Sequence, residues 1–228
     1  MKLSLTLASV LAIAGIQSVS AALGVDVSVA TSQSAISCLV GKGYKTVIAR
    51  AYTEAYGANP GGKVDTGAVT TYKNAIAAGA AVDVYLFPCT GRSTCKSPAT
   101  QVSELAALFK NNGMGHVGTI WLDVEVDPSA NNWPSATSNK ATLTAFKTAL
   151  NNSGLKWGIY SSTYQWQTIT GSTSWVLDNT KPLWYAHYDN SQSFSDFSSF
   201  GGWTKPTIKQ YSGSANVCGA SVDLNYYG

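Results

Sequence analysis

The feature that most constrains this chain is an alternation that runs for two thirds of its length and then stops. Five apolar, strand-like segments, "LGVDVSVA" (23–30), "KTVIARAY" (45–52), "AVDVYLFP" (81–88), "GTIWLDVEVD" (118–127) and "KWGIYSS" (156–162), are each followed by a helical pattern. The helical stretches fall at 32–43, 65–79, 97–113 and 135–154, with a short "YQWQTIT" after the fifth strand. Ser97 followed by Pro98 marks one helix start, and glycines mark several stops. Three further strand-like segments, 182–189, 207–213 and 221–227, follow without long amphipathic helices between them. Repeated βα units demand a parallel sheet with right-handed crossovers. Eight strands suggest that the sheet closes on itself. The fold expected is therefore α/β: a modified TIM-like barrel of eight strands with about five helices, (β/α)5(β)3. The polar stretch 190–202 reads as a rim loop, and no interdomain linker is visible.

The first residues stand apart. "MKLSLTLASVLAIAGIQSVSAA" has a basic start, an apolar run too short to span a membrane, and a small-residue end. The expectation is a signal peptide over 1–21 and one catalytic barrel over 22–228, secreted or delivered to a lysosome or vacuole. About 207 residues suit a single barrel domain. The chain carries a net charge of +3, with its charges sparse and interspersed. No basic run argues for nucleic acid, and no later segment is apolar enough for a membrane.

Four cysteines behind a signal peptide, Cys38, Cys89, Cys95 and Cys218, predict two disulfides, with three pairings possible. Cys89 and Cys95 bracket "TGRST", a short loop that could close on itself, which would leave Cys38 with Cys218. A zinc site is the competing reading, but neither a CxxC nor clustered histidines support it. Asn151-Asn152-Ser153 is a glycosylation sequon at the polar end of a helix.

In "TIWLDVEVD", Trp121, Asp123, Glu125 and Asp127 alternate with Ile120, Leu122, Val124 and Val126. On an exposed antiparallel strand the acids would simply face water. On a helix-covered parallel strand neither face is wet, so Asp123 and Glu125 must reach the barrel mouth or cost several kcal/mol. Spaced i and i+2, they share a face, about 7 Å apart at Cα. Asp26, Asp189 and Asp223 stand near the ends of other strands, where barrel active sites lie. Clustered carboxylates raise one another's pKa, which suits a general acid. The chemistry implied is glycoside cleavage, one carboxyl protonating the leaving oxygen and another stabilising the positive sugar centre. Aromatic residues near the same ends, Tyr52, Phe87, Trp121, Tyr160, Trp184, Tyr185 and Tyr211, could stack on sugar faces or could be plain core. Asp127, beside Pro128, reads as a loop residue. His116 precedes the fourth strand at the wrong end for catalysis, whereas His187 could face the site. No nucleophile elbow, phosphate loop, dinucleotide fingerprint or metal triad is present.

Five segments in order, "GVDVS", "WLDVE", "WGIYSS", "LWYAHY" and "IKQYSG" followed by "SVDLN", resemble glycoside hydrolase family 25, the Chalaropsis-type lysozymes. The likeness spans essentially the whole mature chain. "SCLVGKGYKT", "FSSFGGWTKPTIKQ" and "VCG" are most similar to the branch found in nematodes and amoebae. The resemblance implies a flattened barrel and hydrolysis of the β-1,4 bond between N-acetylmuramic acid and N-acetylglucosamine in bacterial peptidoglycan, without cofactor or metal, by a monomer. Carried over position by position, it makes Glu125 the proton donor and Asp123 its partner, as nucleophile or by orienting the 2-acetamido group. It also makes Asp26 and Asp223 residues that bind substrate or tune Glu125. The candidate sugar-binding residues are Tyr52, Trp121, Tyr160, Tyr185 and Tyr211. Chitin is a less suitable substrate, because Gly118 and Trp121 stand where a chitinase-type acidic run would carry acids.

Overall fold

A computed structural model describes residues 22–54, 61–128 and 131–228; the expected signal peptide lies outside the described residues. The elements are β1 (Ala22–Val27), α1 (Gln33–Gly41), β2 (Tyr44–Thr53), β3 (Lys63–Val64), α2 (Gly67–Ala77), β4 (Ala81–Leu86), α3 (Pro98–Asn111) and β5 (Val117–Asp123). They continue with α4 (Ala136–Asn152), β6 (Trp157–Ser161), α5 (Thr163–Thr170), β7 (Leu183–Ala186), β8 (Ile208–Val217) and β9 (Ala220–Tyr227). Ser32, Ser97, Ser135 and Ser162 cap α1, α3, α4 and α5, each accepting a backbone N–H three residues on.

The sheet runs β1-β9-β8-β7-β6-β5-β4-β2, and β1 pairs back onto β2, closing an eight-stranded barrel wrapped by the five helices. The two-residue β3 pairs antiparallel with the end of β2 as an appendage outside the ring. It was not foreseen, being too short for a periodic pattern. Six neighbouring pairs are parallel, but β9 runs antiparallel to both β8 and β1. The cause is the turn Cys218-Gly219, with φ of 57° and 74°. Two residues with positive φ make the tight hairpin turn that matches strand twist, and so short a link can only produce an antiparallel neighbour.

Along each stave, one set of residues packs outward and the other fills the lumen. Leu122 and Val124 belong to the large core between barrel and helices, and Val126 packs against it. The lumen holds a second, smaller cluster: Ile48, Trp121, Tyr160, Trp184 and Ile208. Gly158 pairs with Trp121 across β5 and β6, and a Cβ there would meet the Trp121 ring at 2.5 Å. Where a sixth helix would cover β7, the rim loop does so instead. Its Phe197 and Phe200, with Trp203, pack on Tyr185 and Trp166. Both disulfides form as Cys38–Cys218 and Cys89–Cys95, the first tying α1 to the β8–β9 turn. Among the described residues no helix is long and apolar enough to cross a membrane.

Candidate active site

The four acids singled out in the sequence converge at one place. Asp26, Asp123, Glu125 and Asp223 line a cavity of about 100 Å³ at the C-terminal ends of the parallel strands, together with Tyr85, Tyr160, Trp184, Tyr188 and Gln210. An adjoining groove of about 430 Å³ shares Glu125, Tyr160 and Tyr188 with it and continues along Tyr164, Gln165, Tyr185 and His187. The larger apolar groove lined by Phe109, Met114, Ile120 and Leu155 lies at the opposite end of the barrel and is lined by no carboxylate.

Glu125 is not on a strand, as the alternation suggested; β5 ends at Asp123. The ladder persists one step further, Val124 N donating to Tyr160 O at 2.9 Å. Beyond that, side chains take over from the sheet. Gln165 Oε1 accepts from Val126 N, while Trp133 Nε1 and Asn132 Nδ2 donate to the Glu125 carbonyl. The backbone is thus pinned on both sides of Glu125 by α5 and the β5–α4 connection. Asp127 stands in that connection, as expected of a loop residue.

Burial dominates the electrostatics. It raises Asp26 to about 7, helped by Asp223 and opposed by amide hydrogen bonds from Asn225 and Gln210. Burial, then the charge of Asp223, raises Glu125 to about 7. Asp123 is pushed well above the carboxylate range by burial and by Glu125, Asp26 and Glu54, with Arg50 pulling the other way. Among the described residues its Oδ1 is buried without a hydrogen-bond partner, an arrangement far less costly for a neutral carboxyl than for an anion. Asp223 is raised by burial although Ser214 N donates to it.

The aromatic residues divide. Tyr160 lines the cavity, with its hydroxyl donating to Gln210 Oε1 at 2.7 Å. Tyr185 walls the groove and donates to Asp196. Trp121 shares the Asp123 face but lies deeper, fully buried in the barrel floor, its indole donating to Asp83 at 3.0 Å. Tyr52 falls past an irregularity in β2, turns into the outer core and donates to Glu104 of α3. Tyr211 is buried beside Gln192 and does not line the cavity. Trp121, Tyr52 and Tyr211 are therefore buried in the packing and line neither the cavity nor the adjoining groove.

Asp189 does not join the cavity either. The fully buried Lys209 ammonium bonds Asp189 at 2.7 Å, Asp196 at 2.6 Å and the Ser193 carbonyl at 3.0 Å, and His187 Nδ1 lies 2.6 Å from Asp196. His187, Asp189 and Asp196 approach one another closely enough to share a cation, and the Lys209 ammonium already supplies that charge. His116 sits before β5 at the far end, as its position suggested. Gln210, Tyr188, Asp83 and Glu54 were not foreseen. Glu54, buried at the end of β2, is raised to about 7 by burial and by Asp127 against the opposing pull of Arg92.

With this geometry in place, the comparisons with known proteins are decisive. The sequence matches the family described as "Lysozyme-like protein 1" over residues 17–211. The chain belongs to this lysozyme-like family. It is 38% identical to "Probable GH family 25 lysozyme 2" of Dictyostelium discoideum, over 92% of each chain. It is 40% identical to "Lysozyme-like protein 5" of Caenorhabditis elegans, over 89% of this chain and 90% of that one. A crystal structure of the bacterial lysozyme from Streptomyces coelicolor superposes with a TM-score of 0.67 at 26% identity, covering 92% of this chain and 94% of its own. The lysozyme-like chain is a glycoside hydrolase of the family 25 type, and its eight-stranded, five-helix barrel is the architecture of that group.

Proposed function

We propose that this lysozyme-like protein is secreted and hydrolyses the β-1,4 bond between N-acetylmuramic acid and N-acetylglucosamine in bacterial peptidoglycan, with Glu125 as general acid. The observation that carries the reading is Glu125 itself. It is raised to about 7 where the acid-lined cavity meets a groove of about 430 Å³. A carboxyl poised near neutrality can hold a proton and still release it. In the reaction that proton passes to the glycosidic oxygen as the C1–O bond breaks, and water then adds to C1 and gives a proton back to the Glu125 carboxylate. The developing positive charge meets Asp26 and Asp223 on the opposite staves. Asp123, pushed well above the ordinary carboxylate range by burial and lining the same cavity, is placed to hydrogen-bond the 2-acetamido group. No cofactor or metal enters this chemistry, and the chain acts as a monomer on an extracellular or lysosomal substrate. Two disulfides accord with an oxidising compartment.

Mass spectrometry of soluble fragments from purified cell walls tests the reading. N-acetylmuramic acid at every new reducing end is the expected product. N-acetylglucosamine there would overturn the bond assignment, and wall binding without new reducing ends would make the protein a binder. N-terminal sequencing of the protein recovered from culture medium should begin near Ala22. A chain retained in cells with Met1 intact would overturn secretion.

A further inference from the structure

Four hydrogen bonds converge on one amide. Gln210 of β8 is 3% exposed. Its Nε2 donates to Asp26 Oδ2 at 2.9 Å and to Asp223 Oδ2 at 3.2 Å. Its Oε1 accepts from the Tyr160 hydroxyl at 2.7 Å and from the Tyr188 hydroxyl at 2.9 Å. A primary amide has two N–H donors and two carbonyl lone pairs, so Gln210 is saturated. Its orientation follows from its partners. The phenols carry protons to donate, so the amide oxygen faces Tyr160 and Tyr188 and the NH2 end faces the acceptor oxygens of Asp26 and Asp223, which pairs a donor with an acceptor in all four bonds.

The consequence falls on Glu125. A phenol has a single proton. Tyr160 also hydrogen-bonds Tyr188, as donor, so the two phenolic protons are shared between Gln210 Oε1 and the Tyr188 oxygen. Held there, they leave only phenolic lone pairs to face Glu125, which lines the same cavity. The Trp184 indole, also in the cavity wall, is committed to Asn225 at 2.7 Å. Asp223 of β9 acts on Glu125, and Glu125 in turn acts on Asp123 at the end of β5, Asp26 of β1 and Tyr85 of β4. Arg50 and Glu54 of the β2 end act on Asp123 behind it. Lone pairs favour a carboxyl that carries its proton, whereas a free phenolic O–H would favour the carboxylate.

We propose that Gln210 is a positioning residue: by taking the protons of Tyr160 and Tyr188 it denies them to Glu125 and holds Glu125 in the proton-donating form. The inference rests on the reading of Glu125 as general acid. It goes beyond that reading by assigning the protonation state to a neutral residue that transfers no proton itself.

Two substitutions separate this role from simple packing. Gln210→Leu removes the acceptor; Tyr160 can still donate to Tyr188, but the Tyr188 proton is freed, so the alkaline limb of kcat/KM against pH should fall by about one pH unit. Gln210→Glu keeps an acceptor for both phenols, so the limb should stay or rise. The same order should appear without catalysis, in 13C NMR titration of glutamate-labelled protein. The chain has three glutamates, Glu54, Glu104 and Glu125, and the Glu125 signal is assigned by its loss in Glu125→Gln. A downward shift with Leu and none with Glu supports the proposal. Equal shifts in both variants, or activity lost uniformly with both limbs and the Glu125 titration unmoved, overturns it. If the wild type releases no reducing ends, the function proposed above fails, while the NMR titration still decides the role of Gln210. If Gln210→Leu does not fold, Gln210→Met, close in shape and without the amide acceptor, takes its place: a downward shift supports the proposal and an unmoved titration overturns it.

Discussion

Asp26 and Asp223 stand directly opposite each other across the antiparallel β1–β9 ladder, one on the first strand of the barrel and one on the last. Two like charges so placed repel, and the Gln210 amide donates to both. Asp223 also raises Glu125, second only to burial. Replacing Asp223 with Asn should therefore lower Glu125. A general acid works only while protonated, so activity is lost as pH rises through its pKa. For Asp223→Asn activity should fall at every pH, because the positive sugar centre loses a carboxylate, and the alkaline limb should in addition move down by up to about one pH unit. Rates of wall lysis between pH 4 and 9 check this, and an unmoved limb would show that Glu125 does not feel that charge.

The same burial has an expense in stability. Glu125 is raised to about 7 from an ordinary 4.5, so the folded chain holds that proton more tightly than the unfolded one. Its contribution to stability is fully present below about pH 4.5 and is lost as pH rises through about 7. Glu125→Gln is neutral throughout. It should be more stable than wild type at pH 8, on the order of 2 kcal/mol, and about equal to it at pH 4. It should also lose lysis by about a thousandfold or more. Denaturant unfolding at the two pH values, beside a lysis assay, reads both effects.

Lys209 holds the rim loop. Its ammonium is buried between Asp189 and Asp196, whose side chains remain partly exposed. Lys209→Met would leave the two carboxylates facing each other without their cation, at a cost of about 3 kcal/mol. The rim loop should open, seen as faster amide hydrogen exchange across 190–197. Wild-type exchange there would show that the loop is held by Phe197 and Phe200 alone.

Gly158 is required by its neighbour rather than by its own backbone. A Cβ at 158 would stand 2.5 Å from the Trp121 ring and 2.8 Å from the Pro182 carbonyl. Gly158→Ala should destabilise by about 1–3 kcal/mol and displace Trp121, read as a lower Tm and an altered tryptophan emission.

The barrel was legible because periodicity reports which face a residue takes, and eight strands with these spacings leave few topologies. Periodicity does not report depth. Trp121 and Asp123 share a face, yet one is floor and the other site, because Asp83 of the neighbouring stave grips the indole. Nor does it report where a strand stops; Glu125 leaves β5 and is pinned by Gln165, Asn132 and Trp133, which lie far from it in any strand pattern. Gln210 carried no signal at all. A neutral amide inside "TIKQYSG" reads as an ordinary strand residue until two strands and two tyrosines are brought around it. Asp189 misled for the converse reason, since its partner Lys209 is adjacent only in the closed barrel.

The reversed direction of β9 fixes when this enzyme can come into being. Asn225 donates to Asp26 across 199 positions of sequence, and Cys38 bonds Cys218 across 180. β1 finds β2 early, but its other edge waits for β9, almost 200 positions further along the chain. Every nascent or C-terminally nicked chain therefore lacks the wall that carries Asp223, however well its βα units have formed. The barrel is closed by β9, Ala220–Tyr227, and a cut before that strand removes Asp223 from the cavity without touching Glu125.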